Sequence, residues 1–421
     1  MEKLAINGGT PVRTKPFPAY RTIGKEEEAA ALAVIRDGVL SKFLGAWTPD
    51  FFGGPQVQAL ETEWASCFGV ETAISVNSAT SGLFAAVGAS GVGPGDEVIV
   101  SPYTMSASAA CVLGYNAVPV FADVDSRTFC ITAETIAQVL TPRTKAVVVV
   151  DLFGLPADFD SIMLLADKHN LVVIEDAAQA PGALYKGRFA GTLADIGVYS
   201  LNYHKTIHCG EGGVVVTSNS KYAERIQLIR NHAEIVVSQR NLNDLVNMLG
   251  FNYRMTEIEA AVAREQLYKL NGLVSCRWKN AEILHSGLRD LPGINIPYVP
   301  NDTKHGYYVY PFTIDMDKLG IHRKQFAAAL QREGIPVYEG YVKPIYWQPL
   351  YQQKTLYGGT GCPFSCAHYT GDVSYERGIC PTTERLHDYD LLYGDWCHAG
   401  MTESDIDDIV SAITKVCKNV V

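Results

Sequence analysis

Short apolar runs alternate with helix-length segments between about residue 60 and residue 220 of this 421-residue chain. The runs are rich in valine and isoleucine, which is typical of strands buried in a sheet. They are AISV (73–76), EVIVS (97–101), VPVFADV (118–124), AVVVVDLFG (146–154) and LVVIEDAAQ (171–179). The segments between them predict helices, namely TSGLFAAVGAS, SASAACVLGYN, TAETIAQVLTP and DFDSIMLLADKHN. This alternation predicts an α/β fold with a mainly parallel sheet between two layers of helices.

The pattern changes after residue 193. DIGVYSLN and GGVVVTSN predict two more strands, and residues 255–288 predict a long helix. The last third predicts a smaller α+β domain, built from one strand-like run and two helices near 307–315, 322–333 and 402–417. We therefore predict a large domain over residues 1–270, with an N-terminal arm, and a small C-terminal domain over residues 271–421.

Composition narrows the possible functions. Hydrophobic residues make up 47% of the chain and charged residues 19%, so a large core can be buried. The net charge of −10 argues against a nucleic-acid-binding protein, because such proteins carry a basic excess that neutralises phosphates. No run reaches about 18 apolar residues, so we expect no membrane-spanning helix. The N-terminus has no apolar run typical of a secretion signal, so we expect a cytoplasmic protein with ten reduced cysteines.

The C-terminal third raises the question of a metal site, because it contains Cys362, Cys366, Cys380, Cys397 and His368. Structural zinc sites commonly use two close pairs of ligands, such as C-x2-C twice over. Here the first pair has the spacing C-x3-C, and the other two cysteines are isolated. We therefore expect these cysteines to be ordinary packing residues, with no metal site.

Polar residues follow the predicted strands at the end where ligands of open α/β sheets bind. Ser78, Ala79 and Thr80 follow the run AISV and begin a predicted helix, so they form either an anion site or a plain helix N-cap. Tyr103 follows EVIVS, where it either covers a flat ligand or packs in the core. Asp176 ends a strongly apolar run, and it either contacts a cationic ligand or caps a helix.

The segment SLNYHKTIHCGEGG (200–213) places Lys205 between two histidines and between two predicted strands. By itself this lysine is a surface charge, a phosphate clamp or a nucleophile. Desolvation or a nearby cation makes a lysine amine nucleophilic by lowering its pKa, and the three glycines allow the backbone to approach a ligand closely. A phosphate site, a flat aromatic side chain, a strand-end carboxylate and a shielded lysine are together the parts needed to hold pyridoxal 5′-phosphate.

With these motifs the chain resembles the sugar aminotransferases of the DegT/DnrJ/EryC1/StrS family, which are fold-type I pyridoxal-phosphate enzymes. The matching stretches are NSATSGL, SPYT, VIEDAAQAPGALYKGRFAGTLADIGVYSLNYHKTIHCGEGGVVVT, RNHA and GFNYRMTEIEAAVAREQL. The combination of EDAAQ, S-x4-K and GEGG is highly specific. The resemblance implies a large domain with a mainly parallel seven-stranded sheet between helices, followed by a smaller C-terminal α+β domain.

The resemblance also implies a role for each residue at the strand ends. Lys205 would form the Schiff base with the cofactor, and Asp176 would pair with its pyridine nitrogen. Tyr103 would stack on the ring, and Gln179 would lie near the 3′-oxygen. The phosphate would be held by Ser78, the main chain of Ala79, Thr80 and Ser200, with Asn202 and His204 close by.

A homodimer with two shared active sites is implied as well, because Asn252 would reach the phosphate bound in the partner subunit. An amino acid, usually glutamate in this family, would donate the amino group and leave pyridoxamine 5′-phosphate. The freed Lys205 would carry the proton, and Asp176 would keep the ring an electron sink. The amino group would then pass to the ketone of a sugar, with a nucleotide-linked sugar as the first expectation.

Departures from the family pattern leave the substrate open. Gln179 stands where many members carry His, and Gln is familiar among members that act on cyclitols. The opening AINGGTPVR resembles the same members, so the alternative is a keto cyclitol in aminoglycoside-type biosynthesis, with glutamine as donor. Ala233 follows RNH where Gly is usual, and residues 355–380 have no assignment. Arg230, His232 and Lys343 are either substrate contacts or surface and interface residues.

Two other functions have features against them. In the dehydratase branch of the family a His replaces the Schiff-base lysine, so the presence of Lys205 argues against that reaction. A regulatory protein that binds the cofactor without turnover is the third class. The intact set of Lys205, Asp176 and phosphate ligands argues against it.

Overall fold

The apolar runs become strands because helices cover both faces of the sheet that they form. The computed structural model describes residues 2–240 and 242–420. Its strands, in chain order, are β1 (Thr72–Val76), β2 (Glu97–Val100), β3 (Val118–Phe121), β4 (Thr144–Val150), β5 (Val172–Asp176), β6 (Leu184–Tyr185), β7 (Arg188–Phe189), β8 (Ile196–Ser200), β9 (Gly213–Thr217), β10 (Ile294–Asn295), β11 (Thr303–Lys304), β12 (Tyr310–Ile314), β13 (Tyr338–Glu339) and β14 (Leu391–Gly394).

The helices lie between these strands much as the sequence predicts. In chain order they are α1 (Lys25–Asp37), α2 (Pro55–Phe68), α3 (Ala79–Ala89), α4 (Ala107–Leu113), α5 (Ala133–Val139), α6 (Phe159–His169), α7 (Ser220–Arg230), α8 (Ala233–Arg240), α9 (Glu257–Leu288), α10 (Met316–Leu319), α11 (Arg323–Arg332), α12 (Pro349–Gln353), α13 (Pro381–Arg385) and α14 (Glu403–Val420). Short 3-10 turns at Ala5–Asn7, Pro49–Phe52, Leu152–Gly154 and Ile345–Trp347, and a π-helical turn at Leu386–Asp390, complete the helical elements.

Seven strands form the central sheet in the order β1-β9-β8-β5-β4-β2-β3. The pairs from β8 to β3 are all parallel, and β9 runs antiparallel to both of its neighbours. The prediction of a mainly parallel seven-stranded sheet between helices is therefore confirmed. Because these strands run in the same direction, the loops that follow β1, β2, β5 and β8 meet at the end of the sheet where the strands have their carboxyl termini.

A second sheet lies in the last third of the chain and is antiparallel throughout, in the order β10-β12-β14-β13. Helices α11 and α14 pack with it in one apolar core that includes Phe312, Phe326 and Ile409. This arrangement confirms the expected smaller α+β unit. A third, three-stranded sheet joins β11 to the hairpin of β6 and β7.

Helix α9 is 32 residues long and connects the two larger sheets. It begins with a capping box, in which the Thr256 hydroxyl accepts from the Glu259 N–H and the Glu259 carboxylate accepts from the Thr256 N–H. It packs against α1 and α2 and also against α14. Neither α9 nor any other helix within residues 2–240 and 242–420 is long and apolar enough to cross a membrane.

The division at residue 270 falls inside α9 and stays a prediction. Two segments pack across that division. Leu4 from the N-terminal arm belongs to the core of the second sheet. Tyr346 and Trp347 belong to the core of the central sheet. The chain therefore returns to the central sheet late in its sequence, because apolar side chains pack by shape and proximity and not by sequence order.

Residues 355–380, which the sequence left unassigned, cover the outer edge of the central sheet. The Tyr375 hydroxyl donates to the carbonyl of Pro119 in the edge strand β3 (2.8 Å). The Tyr369 hydroxyl donates to a carboxylate oxygen of Glu97 (2.8 Å). A sheet edge has unpaired backbone groups that can pair with another chain, so the segment shields this edge.

The four cysteines considered as metal ligands lie in three separate places. Cys380 is buried in the core of the central sheet, and Cys397 is buried in the core of the second sheet. Cys362 and Cys366 lie in the edge-covering segment and are partly exposed. Within residues 2–240 and 242–420, no three His, Cys, Asp or Glu side chains come together as a candidate metal site.

Candidate active site

A cavity of about 330 Å³ opens at the carboxyl ends of β1, β5 and β8. Eight of the ten residues predicted for the cofactor site line it; these are Ser78, Ala79, Thr80, Asp176, Gln179, Ser200, Asn202 and Lys205. A larger groove of about 640 Å³, beside Arg127 and Tyr298, contains none of them. The strand-end residues therefore converge because the parallel strands deliver them to the same edge.

The N-terminus of α3 forms one end of the cavity. Ser78 is its N-cap, and the Ser78 hydroxyl accepts from the Ser81 N–H (3.1 Å), so the N-cap alternative is confirmed. The first turn of a helix still leaves N–H groups without intrahelical acceptors, and Ala79 and Thr80 supply such groups here. These N–H groups, together with the positive end of the helix dipole, suit a phosphate.

Gly213 at the start of β9 keeps this end of the cavity open. A Cβ atom at that position would lie 2.7 Å from the Ala79 nitrogen and 2.8 Å from the Ser78 carbonyl carbon. Both contacts are with backbone, which cannot move aside as a flexible side chain can. Glycine is therefore required for β9 to pass this close to the helix N-terminus.

Asp176 lies at the end of β5 and is buried. Its two oxygens accept from the Ser108 hydroxyl (2.7 Å) and the Ala178 N–H (3.2 Å). Burial raises the pKa of the Asp176 carboxyl, while these two hydrogen bonds and the charge of Lys205 lower it. β5 is followed by a turn and no helix begins there in the described chain, so the helix-cap alternative is wrong. A buried carboxylate held in this way favours a cationic ligand atom.

Lys205 lies in the loop between β8 and β9 and lines the cavity. Its amine is 4.7 Å from the centroid of the Tyr308 ring. Burial lowers the pKa of the Lys205 amine to about 8, while the charge of Asp176 raises it. A lysine in this environment is not an ordinary surface charge. At neutral pH a useful fraction of its amine is unprotonated and nucleophilic.

Gln179 is buried and its orientation is set by two contacts. Its side-chain oxygen accepts from the Phe153 N–H (2.8 Å), and its side-chain nitrogen donates to the Tyr341 hydroxyl (3.3 Å). The amide nitrogen carries two hydrogens, so one N–H of Gln179, which lines the cavity, remains after the bond to Tyr341. Gln179 therefore presents a neutral donor to any ligand beside it.

Ser200 and Asn202 lie beneath the cavity at the end of β8. The Ser200 hydroxyl accepts from the Asn202 N–H (3.3 Å), and the Asn202 side chain donates to Glu211 (2.8 Å). Glu211, which belongs to the motif GEGG, also lines the cavity, and the sequence did not predict this position for it. His204 lines the cavity too, and burial and the neighbouring Lys205 lower its pKa.

Tyr103 does not reach the cavity. Its ring is fully buried and lies edge-on to the rings of Tyr341 and His387, with centroids 6.0 and 5.8 Å away. The chain bends after β2, and it is Thr104 and Met105 that line the cavity at this point. The expected stacking of Tyr103 on a cofactor ring is therefore corrected, because this geometry fits the core-packing alternative. Successive side chains in a bend point in different directions, which a strand pattern does not specify.

Asn252 also lies outside the cavity of its own chain. It is exposed, and its side-chain oxygen accepts from the Arg254 guanidinium (2.8 Å). Its carbonyl accepts from the Asn77 side chain (3.4 Å), next to the start of α3. The role expected for Asn252 requires a partner subunit and stays a prediction.

The three candidate substrate contacts lie away from the cavity wall. Arg230 is fully buried and pairs with Glu61 (2.5 Å). His232 lies near Glu234 (3.8 Å). Lys343 is exposed and directly follows Val342, a wall residue. Of the three, the structure therefore gives Arg230 a structural role.

Sequence reasoning missed residues that come from the last third of the chain. Tyr308, Tyr341 and Val342 line the cavity opposite the strand ends. Burial raises the pKa of both tyrosine hydroxyls, so both stay neutral. No motif marks these residues, because they reach the cavity only through the packing of the second sheet against the first.

Two buried carboxyl groups behind Asp176 were also missed. Asp151 and Glu175 lie at the ends of β4 and β5, and Glu175 accepts from the Gly191 N–H (2.5 Å) and the Leu193 N–H (2.8 Å). Burial raises the pKa of both carboxyls, that of Glu175 to about 7. The two groups therefore retain a proton at neutral pH.

Comparison with known proteins bears on this geometry. Residues 46–375 match the sequence profile of the DegT/DnrJ/EryC1/StrS aminotransferase family. The chain is 31% identical to the spore coat polysaccharide biosynthesis protein SpsC of Bacillus subtilis, over 94% of this chain and 95% of the relative. It is 32% identical to the L-glutamine:2-deoxy-scyllo-inosose aminotransferase of Streptoalloteichus tenebrarius, over 99% and 98%.

A solved structure with a similar fold is that of an aminotransferase from Psychrobacter cryohalolentis. Its TM-score is 0.83 at 30% sequence identity, and the match covers 96% of this chain and 100% of that one. The similarity therefore extends over nearly the whole chain, including both of its larger sheets.

Proposed function

Because the chain belongs to the DegT/DnrJ/EryC1/StrS aminotransferase family, we propose that it transfers an amino group from glutamate or glutamine to a keto sugar, with pyridoxal 5′-phosphate in the cavity around Lys205. One observation carries the proposal. A helix N-terminus with free N–H groups, a buried carboxylate and a lysine of lowered pKa line the same cavity. This combination fits the three parts of the cofactor that a protein must hold.

The bound cofactor supplies an electron sink for the carbon that exchanges the amino group. The N–H groups of Ala79 and Thr80 and the hydroxyls of Ser78, Thr80 and Ser200 would hold its phosphate. Asp176 would keep a proton on the ring nitrogen, since a buried carboxylate favours a cation beside it. Gln179 would donate to an oxygen on the ring.

Lys205 has two proposed tasks. Its unprotonated amine would bind the cofactor covalently, which the lowered pKa favours. Once displaced by the amino donor, the same amine would carry the proton that leaves one carbon and joins another. The ring of Tyr308, 4.7 Å from the amine, limits where it can move.

Borohydride reduction tests this proposal directly. The purified protein should be yellow, and reduction should fix the cofactor onto the peptide that contains Lys205, as detected by mass spectrometry. Lys205→Ala should lose transamination by about 10³-fold or more, as expected for a group that acts in the reaction itself. A colourless protein without the adduct, or full turnover by Lys205→Ala, would refute the proposal.

A keto cyclitol is the second candidate substrate. The 2-deoxy-scyllo-inosose aminotransferase noted above is 32% identical across nearly the whole of both chains, and this similarity favours the candidate. The two candidates differ in which ketone reoxidises the pyridoxamine form of the enzyme. Nucleotide-linked keto sugars and keto inositols should therefore be mixed with that form, and recovery of the original absorbance would identify the substrate.

We also propose that the active unit is a homodimer. Large apolar side chains are exposed on α8 (Ile235), in the segment 245–249 that follows it (Leu245, Val246 and Leu249) and at Leu44, whose carbonyl accepts from the Asn231 side chain beside α8 (2.8 Å). We call these side chains the apolar face. The Gly250 N–H donates to Glu234 (2.8 Å), which joins the end of this apolar segment to helix α8. Asn252 follows two residues later and lies outside its own cavity. A second copy that covers this face would bring Asn252 towards the partner's phosphate site.

Mixed dimers give a sharp test of the shared site. Lys205→Ala and Asn252→Asp should each lower activity as homodimers. A hybrid of the two has one site with both defects and one site with neither, so mixing after mild dissociation should restore activity. Absence of any recovery, in a mixture shown to exchange subunits, would contradict the shared site.

A reducing compartment, such as the cytoplasm, fits this proposal. All ten cysteines are free thiols in the structure. Such a thiol content is typical of proteins kept in reducing surroundings.

A further inference from the structure

The N-terminal arm, which precedes α1, is held by several polar contacts and reaches the loop between β8 and β9 that contains Lys205. Glu333 accepts from the N–H groups of Ala5 (2.7 Å) and Val12 (3.1 Å) and pairs with Lys415 (2.9 Å). Arg13 pairs with Asp405 in α14 (2.7 Å). These anchors are buried or nearly buried, so the arm is a fixed part of the fold.

Beyond these anchors the arm meets the residue that follows the catalytic lysine. The Tyr20 hydroxyl donates to the carbonyl of Thr206 (2.5 Å). Burial raises the pKa of the Tyr20 phenol, so it stays a protonated donor at neutral pH. Thr206 itself is buried, where an unpaired carbonyl would be costly.

Arg277 links this tyrosine to the other side of the lysine. The arginine is buried in α9, and its guanidinium carbon lies 5.2 Å from the Tyr20 ring centroid. It also donates to the carbonyls of Tyr307 (2.7 Å) and Tyr308 (3.3 Å). The ring of Tyr308 faces the Lys205 amine, so one arginine contacts the elements on both sides of the lysine.

We propose that Tyr20 is a positioning residue for Lys205 and acts through the carbonyl of Thr206. The hydroxyl fixes the backbone immediately after the lysine. Arg277 contacts both the Tyr20 ring and the Tyr308 carbonyl, and so holds Tyr20 and Tyr308 in fixed positions relative to each other. The Lys205 amine is thereby kept near the ring and Asp176, in a site that excludes water.

Two residues further along, the same loop is held by a second contact. The His208 N–H donates to the side-chain oxygen of Gln266 (3.3 Å). The Thr22 hydroxyl donates to that same oxygen (2.7 Å). The arm therefore touches the lysine loop directly at Thr206 and indirectly at His208, and Tyr20 supplies the contact nearer to the lysine.

This role rests on the proposed function of Lys205, but it predicts a property of the chain without cofactor. In Tyr20→Phe the Thr206 carbonyl loses its donor, and water reaches the lysine loop to replace it. Less desolvation brings the pKa of the Lys205 amine back towards its ordinary value. An increase of about one unit would slow acylation of Lys205 about fivefold at pH 8, because less of the amine is unprotonated.

Competitive labelling measures this change. The full chain, freed of cofactor, is treated with trace acetic anhydride from pH 6 to 11, and the Lys205 peptide is quantified by mass spectrometry. The matched control is Tyr357→Phe. Tyr357 lies in the edge-covering segment, and its hydroxyl donates a hydrogen bond to the carbonyl of Leu113 in α4 (2.7 Å).

A higher labelling midpoint in Tyr20→Phe, with an unchanged midpoint in Tyr357→Phe and similar melting temperatures for both, would support the positioning role. An unchanged midpoint in Tyr20→Phe, or an equal shift in both variants, would overturn it. Because no cofactor takes part, either result is independent of whether pyridoxal 5′-phosphate binds.

Discussion

The two walls of the cavity are built in different ways. The strand-end wall comprises the cavity-lining residues within 78–80, 176–179 and 200–212, which lie at or just after the carboxyl ends of β1, β5 and β8. The tyrosine wall comprises Tyr308, Tyr341 and Val342 from the last third of the chain. Buried charge and backbone N–H groups dominate the first wall, whereas neutral aromatic side chains dominate the second.

We infer from this difference that the strand-end wall carries out the proposed reaction and that the tyrosine wall selects the keto substrate. The strand-end wall holds Asp176 and Lys205, whose pKa values are shifted by burial and to which we assign the proposed reaction. The tyrosine wall contacts the first through few polar groups, such as the 3.3 Å hydrogen bond from Gln179 to Tyr341. Changes in the first wall should therefore alter turnover and cofactor retention, and changes in the second should mainly alter the KM of the keto substrate.

The largest effect is expected from Asp176→Asn in the strand-end wall. Loss of the buried charge should lower kcat by about 10³-fold, as when a single preorganised electrostatic group is removed. Steady-state kinetics with saturating donor measures it. Asp123 is the matched control: it follows β3, accepts from the Thr382 N–H (2.8 Å) and does not line the cavity. A similar loss in Asp123→Asn would show that the effect is only structural.

Gly213→Ala tests whether the backbone geometry of the same wall matters. The added Cβ would lie 2.7 Å from the Ala79 nitrogen and disturb the helix N-terminus. We expect cofactor binding about 10- to 100-fold weaker, corresponding to roughly 1–3 kcal/mol of lost contacts. Equilibrium dialysis against pyridoxal 5′-phosphate measures this. Gly272→Ala in α9, where a Cβ meets no atom within 4 Å, should leave the affinity unchanged.

Glu175→Gln tests the buried carboxyl pair behind the strand-end wall. The pKa of Glu175 is raised from its ordinary 4.5 to about 7 on folding, so the folded chain binds more protons than the unfolded chain between those values. Its contribution to the free energy of unfolding therefore falls as the pH rises from about 4.5 to 7. Urea titrations at pH 5 and 7 should show that the free energy of unfolding falls less between these two pH values in Glu175→Gln than in the unaltered protein. The exposed control Glu134→Gln should show the same pH dependence as the unaltered protein. If the free energy of unfolding of Glu175→Gln fell with pH as steeply as that of the unaltered protein, the proton assigned to Asp151 and Glu175 would be contradicted.

The smallest effect is expected in the tyrosine wall. Tyr341→Phe removes the acceptor of the Gln179 amide, a contact worth about 1 kcal/mol. We expect a rise of a few-fold in the KM for the keto substrate with little change in kcat. Tyr338→Phe, at an exposed position three residues away, serves as control. If Tyr341→Phe instead lowered kcat as strongly as Asp176→Asn, the separation of the two walls would be wrong.

The strand-end wall could be predicted from sequence because each part of it is local. An apolar run specifies a buried strand, and the polar residues that follow it must lie at the carboxyl edge of a parallel sheet. Asp176 and Lys205 were found in this way, as were Ser78 and Thr80. Tyr103 was assigned to the same wall by the same rule, but the bend after β2 turns it into the core and brings Met105 to the cavity.

The tyrosine wall could not be predicted in this way, since it depends on packing between distant segments. Tyr308 and Tyr341 follow no strand-end pattern, and only the approach of the second sheet brings them to the cavity. Residues 355–380 and the N-terminal arm show the same dependence. Their tyrosine hydroxyls find partners such as the carbonyls of Pro119 and Thr206, more than 180 residues away in sequence.

The sequence by itself determined the α/β fold, the mainly parallel sheet, the family and most of the strand-end wall, because periodicity and motif spacing act over a few residues. Only the tertiary structure decided that Tyr103 is a core residue, that Arg230 is a buried ion-pair partner and that two tyrosines close the cavity. These outcomes depend on which side chains pack together once the chain has folded, and no local pattern encodes such long-range proximity.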